Sequence, residues 1–102
     1  MALTTQLSSD GTTLTISING RFDFNLYKEF RDAYEVGLSK GNIKIIINLA
    51  QTEYMDSSAL GMLLVLKERT GGDNSSVLLK NCNKEIKNIL AISNFDKLFT
   101  IE

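Results

Sequence analysis

Histidine, proline and tryptophan are absent from the 102 residues, and cysteine occurs once. The missing histidine removes the commonest general base and, with it, the Ser–His and Cys–His nucleophile pairs. A histidine phosphotransfer protein is excluded on the same ground. Zinc would be left with one thiolate and carboxylates, a poor donor set, and no cofactor is implied. Asp, Glu and Lys chemistry stays open, so enzymes are demoted rather than eliminated. Cys82 has no partner for an internal disulfide and reads as a small apolar packing residue. No apolar run reaches the roughly 18 residues that cross a bilayer. The opening "MALTTQLSSDG" has neither the charged nor the apolar region of a signal peptide, so the chain is expected to be cytoplasmic and free of membrane. Charge is also nearly absent in sum: 11 basic and 12 acidic residues give a net −1, with no electrostatic footprint for nucleic acid.

What is present fits one domain over residues 1–102. The chain is 43% hydrophobic and 23% charged, enough to bury a core without disulfide or metal. "LTTQL" and "TLTISIN" alternate, the second placing Leu14, Ile16 and Ile18 on one face and Thr13, Thr15 and Ser17 on the other. That period predicts half-buried strands at about 3–8 and 12–19, joined by a hairpin at Asp10-Gly11. "GRFDFN" breaks the pattern, and Asp23 or Asn25 can cap a helix carrying Leu26, Phe30, Ala33, Tyr34 and Leu38 at helical spacing. Lys40-Gly41-Asn42 ends it. The consecutive Ile45, Ile46 and Ile47 suit a central parallel strand covered on both sides. A second helix runs from Ser57 or Ser58 to about Arg69, followed by the loop "TGGDNSS". "VLLKN" reads as a strand, "NKEIKNILAIS" as a helix burying Ile86, Ile89 and Leu90, and "LFTIE" as a last strand.

The order β-β-α-β-α-β-α-β predicts an α/β domain: a mixed sheet of about five strands, mainly parallel, with three helices mostly on one face. A flavodoxin-like doubly wound fold is the alternative, although its receiver-domain version would need an acidic pair after the first strand, and none is present.

"MDSSALGMLLVLKER" then poses a question. Ser57 and Ser58 stand on the lip of the most apolar helix, next to Asp56. A serine at a helix start accepts from a free backbone N–H and stabilises the helix by about 0.5–2 kcal/mol. Capping explains one serine and does not require two, and neither begins a capping box. The same helix end tolerates an anion, so a phosphoserine there adds roughly −1.5 to −2 charges without unfolding the domain. Beyond it, Leu60 to Leu66 are apolar around nearly the whole circumference. One face enters the core; the rest, with Met62 and Val65 near the helix start, is either an exposed contact patch or covered within the domain as well. Gly61, costly inside a helix, points to close approach by another backbone.

Taken together, "IKIIINLAQTEYMDSSALGMLLVLKER" and "GRFDF" resemble the STAS-domain anti-sigma-factor antagonists of bacteria over almost the whole chain. The first string looks like that family's phosphorylation signature and the second like its Gly-Glu-Leu-Asp motif. The resemblance implies a non-enzymatic partner-switching module. Its serine kinase has the ATP-binding fold of histidine kinases and often doubles as the anti-sigma factor; a PP2C-type phosphatase reverses the step. It further implies Ser57 as phosphoacceptor, Ser58 as a neighbour that caps the helix or shapes the site, and Asp23 and Asp56 as recognition residues. Arg21 and Phe22 depart from the family's Glu-Leu, and Ala59 stands where Gly is common. No extra interface is visible in the hydrophobic pattern, so the free protein is expected to be a monomer. The competing readings are a constitutive STAS scaffold acting on a target such as a cyclase or phosphatase, with Ser57 only a cap, and a small nucleotide-binding protein, for which no Gly-rich phosphate loop is present.

Overall fold

The computed structural model describes residues 2–41, 43–72 and 77–102. Strands β1 (Leu3–Leu7) and β2 (Thr13–Ile18) form the expected hairpin, with Leu3 opposite Ile18 and Leu7 opposite Leu14. Its turn holds Gly11 at φ 74°, where glycine carries no Cβ penalty. Helix α1 (Tyr27–Leu38) leads to β4 (Lys44–Asn48), which runs parallel to β2. Helix α2 (Ser57–Arg69), β6 (Leu78–Lys80), α3 (Lys84–Ile92) and β7 (Thr100–Ile101) complete the chain. The main sheet has five strands in the order β1-β2-β4-β6-β7, antiparallel only at the hairpin. This is the mixed sheet and three-helix arrangement expected from the alternation of elements. Asn42 and Asp73–Ser76, which the sequence reading placed in a helix end and a loop, lie outside the described residues.

The core occupies one side of this sheet. Leu14, Ile16, Ile18, Ile45, Ile47 and Leu79 are buried beneath Phe30, Tyr34, Leu63, Leu66, Ile86 and Leu90 of the helices. The opposite side carries Thr13, Thr15, Ser17, Ile46 and Asn48, all only half-buried. Ile46 therefore departs from the expectation that the isoleucine run is covered on both sides. With the core on one face, only Ile45 and Ile47 enter it. Leu78, the register partner of Ile46, shelters the exposed face at that point.

Two short strands were not anticipated. β3 (Gly20–Phe22) and β5 (Thr52–Met55) pair in parallel as a separate two-stranded sheet. Thr52, buried, anchors the pair by donating its hydroxyl to the Ile18 carbonyl at 2.8 Å. The approach by another backbone expected at Gly61 is not found; the tightly packed glycine is Gly37, where a Cβ would lie 2.7 Å from the Leu14 side chain at Cδ2. At Gly61 the same atom would meet nothing within 4 Å. Cys82 is buried, and burial pushes its thiol up from the ordinary value, in keeping with a packing role.

Candidate functional site

The β3–β5 pair builds the lip on which the serines stand. Phe22 is opposite Met55, and both side chains are buried, which fixes the ends of the two strands at one level. The backbone N–H of Asp56 donates to the Phe22 carbonyl at 3.3 Å, so Asp23 and Asp56 leave the pair side by side. Each then caps the turn that follows it. Asp23 Oδ1 accepts from the Asn25 N–H at 3.0 Å, closing a 3-10 turn over Phe24–Leu26 that runs into α1. Asp56 Oδ1 accepts from the Ala59 N–H at 2.9 Å and starts α2.

This corrects the capping assignment. Asp56 has the extended backbone of a cap residue (φ −99°, ψ −178°), while Ser57 and Ser58 are already helical. Neither serine caps α2. Ser57 is exposed and its hydroxyl takes no partner among the described residues; Ser58 is half-buried. Asp23 rather than Asn25 is the cap before α1, and it caps the 3-10 turn, not α1 itself.

Met62 is the second correction. Only 5% exposed, it packs in the core cluster and is not part of the exposed face of α2. The exposed line on α2 is set by helical spacing from Ser57: Gly61, Leu64, Val65 and Glu68 at four, seven, eight and eleven residues on. Val65 is 50% exposed and Leu64 is 38% exposed. Ser57 thus heads an exposed, partly apolar helix face with no side chain at its second turn.

Aromatic residues that the sequence reading did not single out flank this face. Phe24 is 66% exposed and stacks on Tyr27, ring centroids 5.8 Å apart. The Arg31 guanidinium lies 5.6 Å from the Tyr27 ring centroid, and Tyr27, Arg31, Met62 and Val65 line a shallow cleft between α1 and α2. Part of the signal was available: Phe24 is a large apolar residue ahead of the helical stripe, whereas Tyr27 falls on the i, i+3, i+7 spacing of Phe30 and Tyr34 and spacing alone does not set it apart. Arg21 has a defined place as well. Its guanidinium sits 4.6 Å from the Tyr54 ring centroid, and its Nε is 3.7 Å from Asp23 Oδ2. The register of β3 and β5 puts Arg21 opposite Tyr54, which explains the stacking.

Among the described residues there is no cluster of three His, Cys, Asp or Glu side chains able to hold a metal, and no helix is long and apolar enough to cross a membrane. The arrangement offers recognition groups and an accessible hydroxyl.

Comparison with known proteins adds a family. The profile described as "Mlab, STAS domain" matches residues 5–100. The STAS-domain containing protein PA14_20770 of Pseudomonas aeruginosa is 50% identical over 102 residues, which is 99% of both chains. Among solved structures, the anti-sigma factor antagonist SpoIIAA in its unphosphorylated form superposes with a TM-score of 0.76 at 19% identity, covering 99% of this chain and 87% of that one. The phosphorylated form of the Bacillus cell fate determinant SpoIIAA gives 0.74 at 19% identity, covering 99% and 91%. At such identities these structures establish a shared fold.

Proposed function

Because the chain belongs to the STAS-domain family, we propose that it is an anti-sigma-factor antagonist working by partner switching. In this reading the unphosphorylated protein binds an anti-sigma factor that is also a serine kinase of the histidine-kinase-like ATPase fold. Transfer of phosphate from ATP to the Ser57 hydroxyl releases it, and a PP2C-type phosphatase restores the hydroxyl. The protein itself is non-enzymatic and acts in the cytoplasm on transcription.

One observation carries the reading. Ser57 is exposed and unpartnered among the described residues, while Asp56 has taken over the capping that would otherwise account for it. A hydroxyl freed from structural duty sits at the head of the Gly61–Leu64–Val65 face, where a phosphate changes binding and not folding. The positive end of α2 and its unpaired N–H groups moderate the new charge within the chain. A docked surface that desolvates Leu64 and Val65 has no such compensation. Asp23 and Asp56, with Ser58 beside them, serve recognition by the kinase and phosphatase.

The test is binding to the copurifying kinase partner by Ser57→Ala and Ser57→Asp variants, with circular dichroism as the fold control. Constitutive binding by Ser57→Ala and at least about tenfold weaker binding by Ser57→Asp, about 1.4 kcal/mol, is expected. Equal binding by both folded variants would move the protein to the constitutive scaffold class.

A further inference from the structure

We propose that the outer edge of β1 pairs with β1 of a second copy, forming a weak two-fold dimer centred on Thr5. The two edges of the main sheet are not alike. β7 ends one side with two residues, too short to template a partner strand, whereas β1 ends the other with five. Native edge strands are blunted by charge, proline, a bulge or shortness. "LTTQL" has none of these: it is uncharged, contains no proline and pairs with β2 in unbroken register.

The ladder states which backbone groups are spare. Asn19 N–H donates to the Ala2 carbonyl at 2.7 Å, and Ser8 N–H to the Thr13 carbonyl at 2.8 Å. Alternation in an antiparallel pair then turns the backbone of Thr4 and Gln6 towards β2 and that of Leu3, Thr5 and Leu7 outwards. No strand lies beyond β1 among the described residues. Antiparallel self-pairing about Thr5 would join these outward groups through about six main-chain hydrogen bonds.

The same register satisfies the side chains. Leu3 faces Leu7 of the second copy, and Leu7, 40% exposed in the free chain, gains apolar cover. Thr4 faces Gln6 on the other side of the sheet, and Thr5 faces its own copy. Nowhere along this register do like charges meet. A shifted register loses the Leu3–Leu7 pairs, and that selects a second copy over an arbitrary strand. Pairing of five residues buries less than the roughly 1,200 Å² of a stable complex, so the dimer is expected at about 0.1–1 mM protein. The monomer expected from the hydrophobic pattern is then the dilute form, since spare backbone groups leave no trace in that pattern. The inference does not depend on Ser57.

A charge-swap experiment tests it. Thr5 is exposed, so Thr5→Lys and Thr5→Glu leave the fold intact, yet each sets like charges face to face across the two-fold axis. Sedimentation velocity and amide chemical shifts are followed from about 20 µM to about 1 mM. Expected are dimerisation of the wild-type protein with shifts at Leu3, Thr5 and Leu7, loss of association in each variant, and its return in a 1:1 mixture of the two. A wild-type protein monomeric at 1 mM, single variants that still associate, or a mixture that does not recover would each overturn the proposal. So would shifts at these amides that arise only on adding another protein, which would assign the edge to a different partner.

Discussion

Asp23 and Asp56 stand side by side at the ends of two paired strands, and each carboxylate caps the turn that follows it. The motif "GRFDF" and the motif "YMDSS" are separated by about thirty residues in the chain, yet β3 and β5 make them one lip. Each acid closes a backbone turn through Oδ1, and Asp23 turns its Oδ2 to Arg21 Nε at 3.7 Å; recognition of a partner would be a second job.

Those two jobs are separable by substitution. Asp56→Ala removes the cap of α2 and is expected to cost about 1 kcal/mol, within the 0.5–2 kcal/mol typical of lost caps. For a domain of this size that lowers the melting temperature by roughly 4–8 °C. Asp56→Asn keeps an acceptor for the Ala59 N–H and should melt close to wild type. It removes the charge, so phosphorylation of Ser57 by the kinase should slow in both variants. A full-rate Asp56→Asn protein would limit Asp56 to capping.

On α2 the burial of Met62 beside the exposure of Val65 gives opposite expectations for the same change of residue. Met62→Lys places a charge in the core, where even loss of the side chain costs about 2–5 kcal/mol and an unpaired charge costs more. Against a total stability of about 5–15 kcal/mol, this variant should be largely unfolded at 37 °C. Val65→Lys should stay within about 0.5 kcal/mol of wild type in urea denaturation. Its affinity for the partner should fall tenfold or more. Wild-type affinity in Val65→Lys would take this face out of the interface.

The contrast also marks where sequence stops being legible. β1, β2 and the Ile45–Ile47 strand could be read because alternation and β-branching act within one segment. Helices α1 and α3 could be read because Phe30–Tyr34 and Ile86–Leu90 repeat at helical spacing on otherwise polar segments. Around α2 apolar residues run nearly all the way, so periodicity could not tell Met62 from Leu64. Counting from Ser57 in steps of four, seven and eight would have found Gly61, Leu64 and Val65. β3 and β5, with three and four residues, are too short to show a period. Each is a strand because the other lies beside it, a non-local cause. The cap was ambiguous for a chemical reason: Asp and Ser both cap well, and only the extended backbone of Asp56 decides.

The hairpin turn supplies a pH expectation. Asp10 accepts from the Ser8 hydroxyl at 2.6 Å, from the Thr12 hydroxyl at 2.8 Å and from the Thr12 N–H at 3.1 Å. These bonds, the Ser8 one foremost, lower its pKa from 3.8 to about 2. A carboxyl depressed in the folded state protonates first in the unfolded chain. Its stabilising contribution is therefore present above about pH 4 and is lost as pH falls towards about 2. Asp10→Asn should flatten the fall of the urea midpoint across that window, by a small amount because the group is fully exposed. An unchanged slope would place the acid sensitivity elsewhere.

Gly61 yields the sharpest separation of folding from binding. It lies inside α2, exposed, and an added Cβ would meet nothing within 4 Å. Glycine inside a helix costs about 0.5–1 kcal/mol relative to alanine. Gly61→Ala should therefore stabilise the free protein by that amount and raise its melting temperature by a few degrees. On the exposed face headed by Ser57, however, the missing side chain lets a docked partner approach the helix backbone. One methyl group there should weaken the complex about tenfold or more, measured by calorimetry on the purified pair. A variant that is more stable and binds less well would show that this glycine serves the interface. A gain in stability with unchanged affinity would leave the partner resting on Leu64, Val65 and the Phe24–Tyr27 stack without close contact at Gly61.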